Sequence, residues 1–215
     1  MLEARRRITS LSNKTWVFAH NQTDGKGRRG RVWIDPKGNF ACTCVFFPKT
    51  TIDKFALSSF TAALSLYDSL DYFGQSKANI SIKWPNDILL NEKKVAGILL
   101  ETIALGQNKA ALSIGFGVNL LSYPETSEVE ESAFSPTSFI AETGITLDPI
   151  DLLKNLALNF SKYERTLKAK GFSELRNILL TRIHKLGDQI VVKTTSATFN
   201  GRFLDINLDG HLILK

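Results

Sequence analysis

Apolar positions along the chain change period several times, and each change marks an element. A short Leu2–Leu11 stretch reads as the end of a helix, and Trp16-Val17-Phe18-Ala19-His20 then alternates in strand fashion. Asn39 to Phe47 reads as a buried strand closed by Pro48. From Asp53, read as a helix N-cap, apolar residues recur at helical spacing through Phe55, Phe60, Ala63, Leu64, Tyr67 and Leu70. Ile80–Trp84 is a strand stopped by Pro85. Ile88–Leu90 and Lys94–Leu100 flank the turn Asn91-Glu92-Lys93 as a hairpin, and Ala110–Val118 pairs naturally with it. Two or three helices are expected after that: a short one past Ser135-Pro136, a long one over Asp148–Lys168, and another near Phe172–Leu180.

From Gly187 the texture turns to short strands with polar turns, at Gln189–Lys193, Thr198–Asp205 and His211–Leu214. The pattern predicts an α+β fold: a mixed, largely antiparallel sheet with helices packed on it, followed by a small β appendage. We place the division at 1–182 and 183–215. The appendage is expected to be incomplete, because Lys215 falls in a running strand.

Composition narrows the class. At 215 residues, 43% hydrophobic and 22% charged, the chain has the makings of a real core. No apolar run approaches the ~18–20 residues of a transmembrane helix, and the basic N-terminus lacks an apolar stretch behind it. No membrane partner is expected. Cys42 and Cys44 share one face of a strand, a spacing that suits neither a disulfide framework nor a zinc site. They read as small core-facing residues in a reducing cytoplasm. The net charge of +6 raises nucleic acid as a partner, but the basic residues cluster at Arg5–Arg7 and Lys26–Arg31 instead of along one face. No DNA partner is therefore expected.

Four segments carry candidate chemistry. Gly25, Gly27 and Gly30 match G-x-G-x-x-G, but Arg31 to Gly38 reads as a turn and no helix opens at the last glycine, so a dinucleotide fold fails on context. What remains is a glycine-rich loop bearing Lys26, Arg28, Arg29 and Arg31, whose amides and guanidinium forks suit phosphate and carboxylate oxygens. A solvated basic loop is the plain alternative. Lys83-Trp84-Pro85-Asn86-Asp87 exposes an amide and a carboxylate at a strand tip, suited to a nucleotide or its magnesium, though an Asn-Asp pair is more often only a turn. Lys94, beside Gly97, is placed to put an ammonium on a carboxylate, unless it is simply an exposed hairpin lysine. Gly115-Phe116-Gly117-Val118-Asn119 alternates glycine along a strand and bares backbone for close ligand approach.

Taken in order, Gly25–Arg31, Lys83–Asp87, Lys94–Leu99 and Gly115–Asn119 resemble the signature of the biotin protein ligases, in a form without an N-terminal DNA-binding domain. The resemblance implies a class II synthetase-like catalytic domain with an SH3-like C-terminal domain. It implies ATP with Mg2+ and biotin as substrates, and a biotin carboxyl carrier protein as the acceptor. By resemblance, Gln22, Lys26, Gly27, Arg28, Lys94, Gly115 and Gly117 would hold biotin. Arg28, Arg29, Arg31, Trp33, Asn86, Asp87 and Asn119 would serve ATP, with Trp33 stacked on adenine and Asp87 near the metal. Lys94 and Arg28 would be catalytic.

Two departures stand out. Lys26 occupies a position where the family usually has arginine. The family's Ser-Thr-Asn element is expected upstream of Gln22, at or before Met1, and is absent from this sequence. Rival readings are a lipoate or octanoate ligase or transferase of the same fold, a biotin-responsive DNA regulator, and a nucleotide-binding remnant without turnover. A homodimer through exposed strands is compatible with the pattern.

Overall fold

The computed structural model describes residues 1–11, 13–106, 109–125, 134–194 and 196–215. Six strands form one sheet: β1 (Thr15–Ala19), β2 (Phe40–Phe46), β3 (Ile80–Lys83), β4 (Asp87–Leu90), β5 (Lys93–Ala104) and β6 (Ala110–Val118). Their spatial order is β1-β2-β6-β5-β4-β3, and every pairing between them is antiparallel. The α+β architecture expected from the pattern is the one observed.

Strand periodicity explains why β2 lacks a polar face: all seven of its residues are buried. Phe40, Cys42, Cys44 and Phe46 face a core shared with Ile114 and Phe116, against α2 (Ser58–Gly74) and α4 (Pro149–Lys170). On the other face Val45 packs with Ile103, Ala111, and Ala4 and Ile8 near the N-terminus. Both cysteines are buried and free. Burial pushes the Cys42 thiol up to about 12, and the Cys44 thiol up as well, so neither is a nucleophile near neutral pH.

The long helix α4 buries Leu152, Leu156, Phe160 and Tyr163, a stripe at helical spacing. Its start is fixed by Asp148, whose carboxylate accepts from the amides of Ile150 and Asp151, with Pro149 in the first turn. Asp53 does not play the corresponding role for α2. Residues Ile52–Leu57 wind as a tighter 3-10 segment, and α2 begins only at Ser58. The Lys54 amide bonds the Thr51 carbonyl three residues back, which satisfies the local backbone without a side-chain cap. A five-residue α1 (Leu2–Arg6), a short α3 (Phe139–Thr143) and α5 (Phe172–Leu180) complete the α-helices of the described residues.

A connector leads from α5 back along the sheet. Ile82 donates to the Arg182 carbonyl and accepts from the His184 amide, both at 2.8 Å, so the connector covers the outer side of β3. Beyond it lies a three-stranded sheet of β7 (Gln189–Lys193), β8 (Thr198–Ile206) and β9 (Leu212–Leu214). Phe203 and Ile206 join this sheet to the main core, and Arg176 binds the Asp205 carboxylate and the Ile206 carbonyl. The Trp84 indole also donates to the Gly210 carbonyl, at 3.3 Å. These ties place the small sheet over the tips of β3 and β4.

Candidate active site

Three local structures meet at the β4–β5 end of the main sheet. The first is the Gly25–Trp33 segment, which doubles back on itself as a small hairpin. Gly27 donates to the Arg31 carbonyl at 2.8 Å, and Trp33 donates to the Gly25 carbonyl at 2.9 Å. The close return explains the glycine at 25, where a Cβ would lie 2.1 Å from the Trp33 carbonyl oxygen. Arg29 sits at φ 59°, so the chain turns through a left-handed residue that carries a guanidinium.

The second is the β3–β4 turn. Asn86 pairs with Ile98 twice, donating from its side chain to the Ile98 carbonyl and accepting the Ile98 amide on its own carbonyl. This aims the Asn86 amide oxygen at the loop, where it accepts from Arg28 at 3.0 Å. Asp87 is buried and engaged by two lysines, Lys94 at 2.8 Å and Lys83 at 3.4 Å. The third is the β4–β5 hairpin, whose turn is the two residues Asn91 and Glu92 at φ 47° and 63°. Glu142 ties that turn down, accepting from Asn91, Lys93 and Thr137. Burial acts to raise its pKa, but those three hydrogen bonds outweigh burial and hold the carboxyl below its ordinary range.

Two cavities open from this point. A narrow one of ≈ 120 Å³ runs over the sheet, lined by Gln22, Lys26, Thr43, Gly97, Gly115 and Gly117 among others. A wider one of ≈ 810 Å³ lies between the main sheet and the small sheet, and takes in Arg29, Arg31, Asp87 and Ile190. Gly27, Arg28, Trp33, Asn86 and Lys94 line both. The Lys94 ammonium and the Arg28 guanidinium thus stand in the wall where the two cavities meet. Burial, with Arg29 nearby, lowers the pKa of Arg28 from its very high ordinary value, which leaves it a cation.

The candidate residues do not all land where the pattern placed them. Gln22, Lys26, Gly27, Arg28, Lys94, Gly115 and Gly117 come together on the narrow cavity, and Arg29, Arg31, Asn86 and Asp87 on the wide one. The Trp33 ring lies on Gly97 and Gly117: a Cβ on Gly117 would come within 2.6 Å of it. The indole therefore covers part of the glycine wall, and its buried Nε1 has no hydrogen-bond partner among the described residues. Asn119 lines neither cavity. It is buried in the β6–α3 connection, donating to the Thr137 carbonyl at 3.0 Å. Lys83, which belongs to the Lys83–Asp87 motif without a role of its own, and His184, Lys185 and Lys193, which no motif included, also line the wide cavity. The last three lie in the connector and β7, and no local spacing announces their position.

Among the described residues no group of three or more His, Cys, Asp or Glu could hold an ion, and Asp87 already neutralises two lysines. No helix among the described residues is long and apolar enough to cross a membrane.

The biotin/lipoate A/B protein ligase family model matches residues 1–119, over half of the chain. The chain belongs to this family. A curated relative, the biotin–[acetyl-CoA-carboxylase] ligase of Paracoccus denitrificans, is 43% identical over 213 residues, covering 99% of this chain and 89% of its own length. The fold agrees with solved members of the ligase family. The Aquifex aeolicus biotin protein ligase in complex with biotin and ATP superposes with a TM-score of 0.79 at 24% identity, covering 98% of this chain and 87% of that one. The Leishmania major biotin protein ligase in complex with biotinyl-5-AMP gives 0.71 at 21% identity, covering 99% and 89%.

Proposed function

We propose that the chain is a biotin protein ligase. It joins biotin to ATP as biotinyl-5′-adenylate and passes the biotinyl group to a lysine of a biotin carboxyl carrier protein. The observation that carries this reading is the shared wall. One cavity is walled by the glycine-bearing backbone of the sheet, the other is rich in cations, and they meet at Lys94 and Arg28. In this arrangement biotin lies along the narrow cavity, with its ring on the Gly115–Gly117 backbone and its carboxylate at Lys94. The Met1 side chain must leave Gly115, and Trp33 must leave Gly117, for the ring to seat fully, which frees the indole to cover adenine. Gln22, Lys26 and Gly27 border the biotin end, and Arg31, Asn86 and Asp87 the nucleotide end. Asn119 acts from a distance by holding the β6–α3 connection.

The chemistry follows from charge. A carboxylate oxygen of biotin attacks the α-phosphorus of ATP, the bond from that phosphorus to the bridging oxygen breaks, and pyrophosphate departs with the electron pair. Two anions must meet, so the main task of the site is to offset their repulsion. Lys94 and Arg28 supply fixed positive charge at the junction, and Asp87 and Asn86 hold them in place before substrate arrives. In the second step a carrier lysine amine attacks the acyl carbonyl, AMP leaves, and the amine gives up a proton. Magnesium enters this reading as the counter-ion of ATP, and no protein cage is assigned to it. The reaction belongs in the cytoplasm, where ATP and carrier protein are found.

The direct test is to incubate the chain with ATP, magnesium and biotin and to look for biotinyl-adenylate by mass spectrometry. Adenylate should form with biotin and not with lipoate. Formation with lipoate alone, or with neither acid, would sink the reading.

A further inference from the structure

A polar cluster that lines neither cavity lies where the helices meet the connector. Asp68 comes to it from α2, Tyr163 from α4 and Arg182 from the turn after α5. Arg182 pairs with the Asp68 carboxylate at 2.5 Å and donates to the Tyr163 hydroxyl at 3.0 Å, and that hydroxyl donates to Asp68 at 2.6 Å. The guanidinium also stands 4.7 Å from the centre of the Tyr67 ring. We propose that Arg182 is a positioning residue for the reaction: held by Asp68 and Tyr163, it keeps the connector in one register on β3 and so sets the place of His184 and Lys185 in the cavity wall. The proposal rests on the ligase reading above.

The connector's own grip on the sheet is short. Among the described residues its backbone bonds β3 only at Ile82, through the Arg182 carbonyl and the His184 amide, around a single parallel bridge from Ile82 to Ile183. A contact one residue long specifies register weakly. A slip of two residues can re-form the same two hydrogen bonds, yet it carries the chain about 6–7 Å along the strand. His184 and Lys185 line the wide cavity, so a shift of that size removes them from its wall. Burial of Ile183 opposes the slip, but an apolar contact is tolerant in direction. A guanidinium held by a carboxylate, a hydroxyl and a ring is not.

The cluster is built for geometry more than for stability. Tyr163 is 2% exposed, and its hydroxyl both accepts and donates. Burial, with the bond to Asp68, pushes that hydroxyl up to about 12, so it stays protonated and the triangle stays closed near neutral pH. An ion pair withdrawn from water gains little over apolar packing of the same shape, whereas a network with its partners satisfied fixes one arrangement. Lys162 reaches Asp68 at 3.4 Å from the exposed rim and contributes little. One residue past Arg182 the chain enters the core at Ile183, and the next two residues line the cavity. The cluster therefore acts on the wall from behind, through a span too short to absorb a shift.

Two readouts on Arg182→Met test the assignment: amide hydrogen exchange, and single-turnover adenylate formation as a function of ATP and, separately, of biotin. Methionine keeps an unbranched side chain and removes the charge and the donors. Amides of residues 183–188 should exchange about tenfold faster, while those of β2 and β6 keep the parent rates. The ATP concentration for half-maximal adenylate formation should rise about tenfold, with the rate at saturation and the value for biotin within about twofold of the parent. Tyr163→Phe, the milder variant, should move both readouts in the same direction by about twofold to threefold. Arg182→Lys, which restores the pair with Asp68, should recover part of both. Unchanged exchange in the connector, an equal rise for biotin and ATP, or a lower melting temperature with neither change would overturn the proposal. A parent chain that forms no adenylate sinks the ligase reading and this proposal together, whereas any of those three outcomes with an active parent sinks this proposal alone.

Discussion

The β3–β4 turn with its following hairpin and the Gly25–Arg31 loop both deliver cations to the same junction, but they are built in opposite ways. Around Asp87 every group is tied: Lys94 and Lys83 share one carboxylate, Asn86 is fastened to Ile98, and Glu142 clamps the turn at Asn91. The loop is closed by its own few backbone hydrogen bonds, and Arg28, Arg29, Arg31 and Val32 lie on an exposed or half-exposed rim. Its one side-chain anchor to the main sheet named above is Arg28 on Asn86. The difference separates two tasks. On the ligase reading proposed above, charge that must be in place before the reaction stands on the braced element, and charge that must admit substrate and then retain the adenylate stands on the loop.

The largest effect should come from the braced side. Lys94→Ala removes the ammonium at the junction and should lower the rate of biotinyl-adenylate formation by about 10²–10³-fold in single-turnover assays. A rate close to the parent would remove Lys94 from the chemistry. A smaller effect, of a different kind, is expected on the loop. Arg28→Gly should still form adenylate but release it about tenfold faster, read as biotinyl-adenylate recovered in the filtrate after rapid gel filtration. If adenylate formation falls as far as in Lys94→Ala and release is unchanged, the division of labour between the two regions is wrong.

The smallest effect tests the bracing itself. Glu142 has a folded pKa below its ordinary value, so its contribution is complete at neutral pH and is lost as pH falls through the folded value. Glu142→Gln should therefore lower the melting temperature at pH 7 by about 2–4 °C for about 1 kcal/mol lost. The gap between parent and variant should close once the pH falls below that folded value. A gap that persists in acid would show that the carboxylate is not what clamps the turn.

Much of the molecule was legible in the order of residues. The strands at Asn39–Phe47 and Ala110–Val118 and the helix after Asp148 follow from period and capping alone, because their signals are local. The motifs Gly25–Arg31, Lys83–Asp87 and Lys94 could be picked out for the same reason, each bearing an unusual density of glycine or charge. Asp53 misled, since a 3-10 segment satisfies its backbone without the cap that the residue type suggests. Asn119 also misled: proximity in sequence to Gly117 says nothing of which way the chain turns after β6.

By itself, then, the sequence determined the elements and the inventory of charged groups, because those depend on contacts a few residues long. Tertiary structure alone decided that Asp87 would be held by Lys94 and Lys83, that Trp33 would lie on Gly117, and that Lys185 and Arg29 would line one cavity. The last two are meetings between segments separated by long stretches of chain, and their geometry is set by how the sheet, connector and core pack as a whole. No local pattern carries that information, since the same residues would read alike in a fold that kept them apart.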